Sequence, residues 1–321
     1  MIGRVSVITD TGRRRRRNED AYVCEPPLFA IADGMGGAQA GEVASRLAAA
    51  ALRESGADRG GEDRIVDLVQ EANRRVYDRS SSDPSTSGMG TTITVALVEE
   101  GQVAFGHVGD SRAYLIRDGR MEQVTEDHSL VNELLKSGKL SREEAETHPQ
   151  RSVITRALGT DPDVDVDTFT IAGEEGDLFL LCSDGLTDMV SERAILDLVE
   201  RYRHDIDRAL RALVNAANKG GGEDNITVVA FEIAGGAPLA HDGDTREHVL
   251  EEEQTLTELD AVPAVDTAVV SADAIQAEVA AKERDERAIR RRHLRRRVLA
   301  WLALLLIVAG IAIALYVGYV R

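Results

Sequence analysis

Four aspartates stand where an apolar run meets a turn. Asp20 opens Asp20-Ala21-Tyr22-Val23, Asp33 closes Leu28-Phe29-Ala30-Ile31-Ala32, Asp184 follows Leu178 to Ser183, and Asp224 precedes Ile226 to Ala230. An apolar run that ends in an acid and glycines is how a buried strand presents a carboxylate at its tip, although a single Asp-Gly can also be just a turn. Strand ends on one side of a sheet converge, so the four acids can gather in one cleft. Side by side without cations, they would repel and take protons back. Hard divalent cations remove that conflict, because Mg²⁺ or Mn²⁺ prefers oxygen ligands and keeps several waters. No Cys or His set with zinc spacing is present, so zinc fits less well. Two cations about 3.5–4 Å apart can share a water and direct it at phosphorus, while a nearby arginine grips the phosphate oxygens.

The elements that must position these acids are legible around them. Val5 to Ile8 predicts a first strand. Gly34, Gly36 and Gly37 turn the chain after Asp33 into a helical pattern from Ala40 to Glu54, and a second pattern carries Ile65, Leu68, Val69, Ala72 and Val76. Gly88-Met89-Gly90 opens a strand over Thr91–Val98, which returns through a hairpin at Glu100-Gly101 to Val103–Val108. Gly109-Asp110-Ser111-Arg112 is a further acidic turn, followed by strands at Ala113–Ile116 and Met121–Val124; short turns between successive strands imply an antiparallel meander. Residues 126–160 break that rhythm with helical patterns at Ser129–Lys136 and Ser141–Glu146, the sign of a lid or substrate-binding flap. A strand at Phe169–Ile171 and helices at Ser191–Tyr202 and Ile206–Asn218 complete the domain.

At 321 residues the chain accommodates one sizeable domain and appendages. Its net charge of −18 is uneven: residues 1–238 carry −15, 239–281 carry −10 and 282–297 carry +6. An acidic main domain argues against a nucleic-acid partner and suits cation binding. The run Arg13–Arg17 could signal nucleic acid, but it is locked between two strands and abuts Asn18, Glu19 and Asp20. One of its arginines therefore reads as an anion ligand and the others as solvated loop. Cys24 and Cys182 both sit in strand-like runs, which implies a reduced compartment without a disulfide framework. The first residues lack the apolar core of a signal peptide, so a cytoplasmic domain is expected.

Residues 237–281 have the composition of an acidic disordered linker, in which Thr245, Thr255 and Thr257 lie near acids. A basic juxtamembrane segment, 282–297, leads into residues 298–320, a run of 23 without a charge. As a helix that run is about 34 Å long, enough to cross a bilayer. Arg290–Arg292 and Arg295–Arg297 on its N-terminal side keep that side inside. The expected arrangement is a single-pass cell-membrane protein with its domain cytoplasmic and its C-terminus outside.

Arg15 to Asp20, Asp33-Gly34, Gly90-Thr91-Thr92, Gly109 to Arg112, Ser183-Asp184-Gly185 and Asp224-Asn225 occur in the order seen in one family. Over roughly residues 3–233 the chain resembles the metal-dependent protein phosphatases, the type 2C serine/threonine family, in a bacterial, membrane-anchored form. The resemblance implies an α+β catalytic domain, residues 1–236, built as a two-layer antiparallel β-sandwich flanked by helices, with 126–160 as its flap. It implies phosphoserine and phosphothreonine hydrolysis with two Mn²⁺ or Mg²⁺ ions and a third, weaker one, on phosphorylated proteins that include serine/threonine kinases and their substrates. Arg15 resembles the arginine that holds the substrate phosphate. Asp33 resembles the acid bridging both metals, and Gly34 the residue that offers its carbonyl to the first. Asp184 and Asp224 are similar to ligands of the second metal, with Asp20 and Glu19 on its waters. Asp110 is similar to the acid that shares a third metal with Asp184. Animal members carry a histidine after the Asp-Gly pair where this chain has Met35, so the proton for the leaving group needs another source; His148, His107 and His128 are the histidines to weigh. The rival readings are a phosphatase of sigma-factor regulators and an inactive phosphopeptide-binding module.

Overall fold

The computed structural model describes residues 1–36, 40–54, 60–141, 144–145 and 148–235, and the backbone of 248–249 and 268–269. Apart from those two short segments, the expected linker, the basic segment and the expected membrane span lie outside the described residues. Among the described residues no helix is long and apolar enough to cross a membrane.

The chain contains five phenylalanines, and all of them form one stack between two sheets. Phe169 lies on Phe105, Phe105 on Phe179, Phe179 on Phe231 and Phe231 on Phe29, with ring centroids 5.1, 5.7, 5.2 and 4.2 Å apart. One sheet contains β1 (Ile2–Asp10), β12 (Ile226–Ile233), β11 (Leu178–Cys182), β7 (Arg112–Arg117) and β8 (Arg120–Gln123) in that order, with His248–Val249 beside β1. The other runs β10 (Asp167–Ala172), β6 (Gln102–Val108), β5 (Ile93–Glu99), β3 (Leu28–Met35) and β2 (Asp20–Glu25), with β4 (Gly90–Thr91) on β3, while β9 (Val153–Ile154) belongs to neither sheet.

The central strands are apolar on both faces because both faces are covered. In β3, Phe29 and Ile31 enter the space between the sheets, while Leu28, Ala30 and Ala32 pack with α1 (Ala40–Glu54) and α2 (Gly61–Ser82). In β11, Phe179 and Leu181 face inward, while Leu178, Leu180 and Cys182 pack with α5 (Glu192–Arg201) and α6 (Ile206–Gly220). The expected sandwich flanked by helices is thus present, and the pairings between β1–β8 and β10–β12 are all antiparallel.

Antiparallel register brings the acidic tips to one end. Asp20 lies directly opposite Asp33, Cys182 lies between Arg112 and Val228, and Asp10 pairs with Ile226. The strand expected over Thr91–Val98 is interrupted at Thr92, which leaves the ladder to serve Asp33: its N–H donates to Asp33 O at 2.9 Å and its Oγ1 accepts from Asp33 N–H at 3.1 Å. β1 is longer than Val5–Ile8 because β12 pairs along most of it. In the flap, α3 (Leu130–Lys136) is capped by Ser129 as the pattern predicts. Ser141 and Glu144 begin the second helical turn by exchanging caps, and its remaining residues lie partly outside those described. Buried Asn73 of α2 fixes the flap's return: its Nδ2 donates to Asp161 O and Pro162 O, and its Oδ1 accepts from Gly159 N–H.

Phe231 touches both neighbours in the stack. Phe231→Ala is expected to cost about 3–5 kcal/mol, read as a lower urea midpoint with an unchanged slope; a loss under about 1 kcal/mol would show that the two sheets do not depend on the stack.

Candidate active site

Each expected acid reaches the same end of the sandwich through a different element. Asp20 begins β2, and its Oδ2 accepts from Ser183 Oγ at 2.9 Å. Asp33 sits near the end of β3, with both its backbone groups held by Thr92. Asp184 starts α4 (Asp184–Thr187) directly after β11. Asp224 lies just ahead of β12, and Arg15 Nη2 donates to its Oδ2 at 2.7 Å. Asp110 follows β6 and lines, with Asp184, a cleft of about 1370 Å³ that runs past Asp127, Arg151 and Met189 under the flap.

Gly34 must be glycine for steric reasons. A Cβ there would lie 2.2 Å from Gly41 O and 2.5 Å from Glu19 O. Its N–H donates to Glu19 O at 3.2 Å, so the turn after Asp33 is pressed against the chain that carries Glu19 and Asp20. This close approach leaves the Gly34 backbone beside the acids.

The electrostatics are those of like charges forced together. Burial, then Asp20, Asp184, Asp224 and Asp110, push the Asp33 carboxyl well above its ordinary pKa. Burial, then Asp110, Asp224, Asp188 and Asp20, do the same to Asp184. Asp20 is pushed up to about 7 by burial, against hydrogen bonds to its charged form from Thr227 and Ser183. Asp110 is also pushed up to about 7, by burial and then by Asp127 and Asp188, with Arg112 opposing. Arg15 is the cation among them. Burial disfavours its charge, but Asp224, then Asp33 and Asp184, hold its pKa above the ordinary value.

These residues fit a divalent cation by donor chemistry. One oxygen each of Asp20 and Asp184, Oδ1 in both cases, is buried without a hydrogen-bond partner among the described residues. An orphaned carboxylate oxygen in a cluster of acids is what a hard cation satisfies. Among the described residues, no three acid, His or Cys side chains already close around one point.

The sequence placed Asn225, Arg112 and His128 in or near the motifs but did not show what each of them holds. Asn225 Oδ1 accepts from Glu19 N–H at 2.8 Å, and its Nδ2 donates to Thr11 O and Arg17 O, tying the arginine loop at three points to the start of β12. Arg112 forks onto Asp127, while His128 Nδ1 accepts from Gly109 N–H at 3.0 Å. The Asp110 turn is therefore clamped on both sides by the root of the flap. Asp188 stands one helical turn beyond Asp184 and adds charge to it. Only Asp127-His128 and Asn225 beside Asp224 offered a local signal, an acid or amide next to a predicted turn.

The histidines are accounted for otherwise. His107 is fully buried, bonded to Thr94 Oγ1 and Glu126 O, and burial and then His128 lower its pKa to about 4. His128 bonds Gly109 and Asp167. His148 accepts from Gln150 N–H within its own turn. Met35 packs with Ile154 and Ala157 of the flap root.

Known proteins resemble this chain in sequence and in fold. Residues 13–221 match the family model described as protein phosphatase 2C. The chain is 41% identical over 236 residues to the serine/threonine phosphatase stp of Listeria welshimeri, covering 70% of this chain and 93% of that one. It is 39% identical over 236 residues to the serine/threonine protein phosphatase PstP of Mycobacterium tuberculosis, covering 73% of this chain and 45% of that one. The crystal structure of the M. tuberculosis phosphatase superposes with a TM-score of 0.69 at 37% identity, over 73% of this chain and 100% of that one. A PstP catalytic domain solved with two manganese ions gives 0.67 at 36% identity, over 73% and 99%. A family-model match over residues 13–221, with relatives alike in sequence and in fold, establishes that the chain belongs to the protein phosphatase 2C family.

Proposed function

We propose that this chain hydrolyses phosphoserine and phosphothreonine on proteins, using Mn²⁺ or Mg²⁺. The observation that carries the reading is the convergence of Asp20, Asp33, Asp184 and Asp224 beside half-buried Arg15. The related catalytic domain with two manganese ions supports the choice of metal. When bound, such a pair of cations lowers the pKa of a water and offsets charge on the phosphoryl oxygens. Asp33 and the Gly34 carbonyl would hold the first, and Asp33, Asp184 and Asp224 the second, with Asp20 and Glu19 on its waters. Asp110 and Asp184 would share a third.

The remaining roles belong to the chain itself. Arg15 spends Nη2 on Asp224, and its Nε is buried with no partner among the described residues. Its other donors are therefore left for phosphate oxygens, in the planar fork that suits them. Thr92 fixes the Asp33 backbone, and Asn225 fixes the loop that carries Arg15. Neither the hydroxyl nor the thiol nearest the acids is free to attack: Ser183 Oγ is engaged with Asp20 and Asn225 O, and burial pushes the buried Cys182 thiol up to about 12. Both observations support direct attack by water. Met35 has no proton to give, and the engagement of His107, His128 and His148 elsewhere supports a water, ahead of another side chain, as the source of the leaving oxygen's proton.

We also propose that residues 298–320 anchor the protein in the cell membrane, with 1–236 on the cytoplasmic side and the C-terminus outside. The uncharged run and the arginines before it support this reading. Membrane serine/threonine kinases and their targets are the natural phosphoproteins for such a location. A module that merely held phosphopeptides would not need all four acids.

Phosphate release from a phosphothreonine peptide by the full chain is expected to require Mn²⁺ or Mg²⁺ and to stop in EDTA. Asp33→Asn or Asp184→Asn should lower it by roughly 10²-fold or more with circular dichroism unchanged; turnover that persists in EDTA would falsify the metal reading. Arg15→Ala should lower kcat/KM by roughly 10²-fold, an effect much larger than that of Arg13→Ala. Equal effects would mean that the loop acts only as diffuse charge.

Carboxyls whose pKa folding raises bind protons more tightly in the folded chain than in the unfolded one. In EDTA, stability should therefore be greatest below pH 4 as far as these groups decide it, and should decline as pH rises through about 7. Asp184→Asn should raise the EDTA melting temperature at pH 8 by a few degrees, at about 2–4 °C per kcal/mol. The same substitution should shrink the stabilisation by Mn²⁺. A melting temperature lowered by Asp184→Asn would contradict the repulsion.

A further inference from the structure

Arg13–Arg17 places five positive charges beside a site whose domain, residues 1–238, carries −15. The loop is fixed at several points. Asn225 Nδ2 donates to Thr11 O at 3.0 Å and to Arg17 O at 2.9 Å, so one side chain pins both ends. The N–H groups of Arg13 and Arg14 both donate to Gly222 O, at 2.7 and 3.1 Å, and Asn18 Nδ2 donates to Thr9 Oγ1 at 2.7 Å. Asn225 adjoins Asp224, so the loop and the acid cluster share an anchor.

Within this loop only Arg15 turns into the site. Arg13, Arg14, Arg16 and Arg17 are exposed, and Arg17 approaches Glu42 at 3.8 Å. The side chains of Arg14 and Arg16 make no ion pair or hydrogen bond among the described residues, in a domain with carboxylates to spare. Turn formation explains none of this, since no backbone requirement calls for arginine at either position.

We propose that Arg14 and Arg16 form an anion subsite flanking the phosphate held by Arg15, selecting phosphoprotein segments that carry a second phosphate, or acidic side chains, close to the scissile one. Consecutive Cα atoms are about 3.8 Å apart and an extended substrate advances about 3.3–3.6 Å per residue. Charges two or three residues from the phosphorylated one therefore come within reach of the flanking guanidinium groups. A phosphate bears about −1.5 to −2 charges at pH 7 and three acceptor oxygens, so it is the stronger ligand, and a carboxylate is the weaker one. The proposal rests on the phosphatase reading and on Arg15 as the phosphate ligand.

The test uses the full chain with Mn²⁺ and four substrates: p-nitrophenyl phosphate, a phosphothreonine peptide with neutral flanks, the same peptide with acidic flanks, and one with a second phosphothreonine three residues away. The doubly phosphorylated peptide should exceed the neutral one by about tenfold in kcat/KM at low salt, with the acidic peptide between them, and the advantage should fall as salt rises. The double substitution Arg14→Gln, Arg16→Gln should remove that preference while p-nitrophenyl phosphate turnover stays within twofold. The proposal fails if the wild type shows no preference, if the variant retains it, or if p-nitrophenyl phosphate turnover falls equally. An effect of the substitutions seen only in nanodiscs of anionic lipid, with peptide selectivity unchanged, would assign the loop to the membrane and also overturn it. Absence of Mn²⁺-dependent turnover of any of the four substrates would instead sink the phosphatase reading itself.

Discussion

Repulsion among half-buried carboxylates is the constraint around which this molecule is arranged. Burial raises the pKa of Asp20, Asp33, Asp110 and Asp184, and neighbouring carboxylates add to it: the other acids of the cluster at Asp33 and Asp184, Asp224 at Asp20, and Asp127 and Asp188 at Asp110. Such an arrangement costs folding free energy in the absence of cations, and a fold keeps it only where the surrounding structure is strong enough to impose it. Proteins spend stability in this way at functional sites, where the strain is part of the mechanism.

What imposes it is a sandwich closed on both sides. Strands such as β3 and β11 are apolar on both faces, one face joining the phenylalanine stack and the other packing under helices. Their backbones are held in register along most of their length, so their ends cannot drift apart to relieve the acids. Side chains then refine the placement. Thr92 abandons its strand to hold the Asp33 backbone, Ser183 bonds Asp20, and Asn225 binds the chains on either side of the arginine loop.

The flap is joined to this site through its roots. Arg112 and Gly109, on either side of Asp110 and Ser111, are bonded to the adjacent residues Asp127 and His128. His128 reaches on to Asp167, which also pairs with Arg156 at the other root, and Thr155 N–H donates to His128 O. Met35 packs under the same roots, an apolar contact where a proton donor would otherwise be expected.

The strands, the helices and the acidic tips were legible in the sequence because each rests on local rules: apolar alternation, helical spacing, and glycine after a strand. The order of the short motifs then pointed to the fold, since antiparallel strands with tight turns must bring alternate ends together. Local rules could not reveal the break at Thr92, which exists to serve a residue in another strand, or the roles of Asn225 and Asp127-His128, whose partners lie far away in sequence. Nor could they sort the five arginines. The sequence by itself determined that this protein would carry acids at strand tips beside a cationic loop. Only the tertiary structure decided that Arg15 turns inward to Asp224 while Arg14 and Arg16 stay open, because that choice depends on where Asn225 and Gly222 hold the loop.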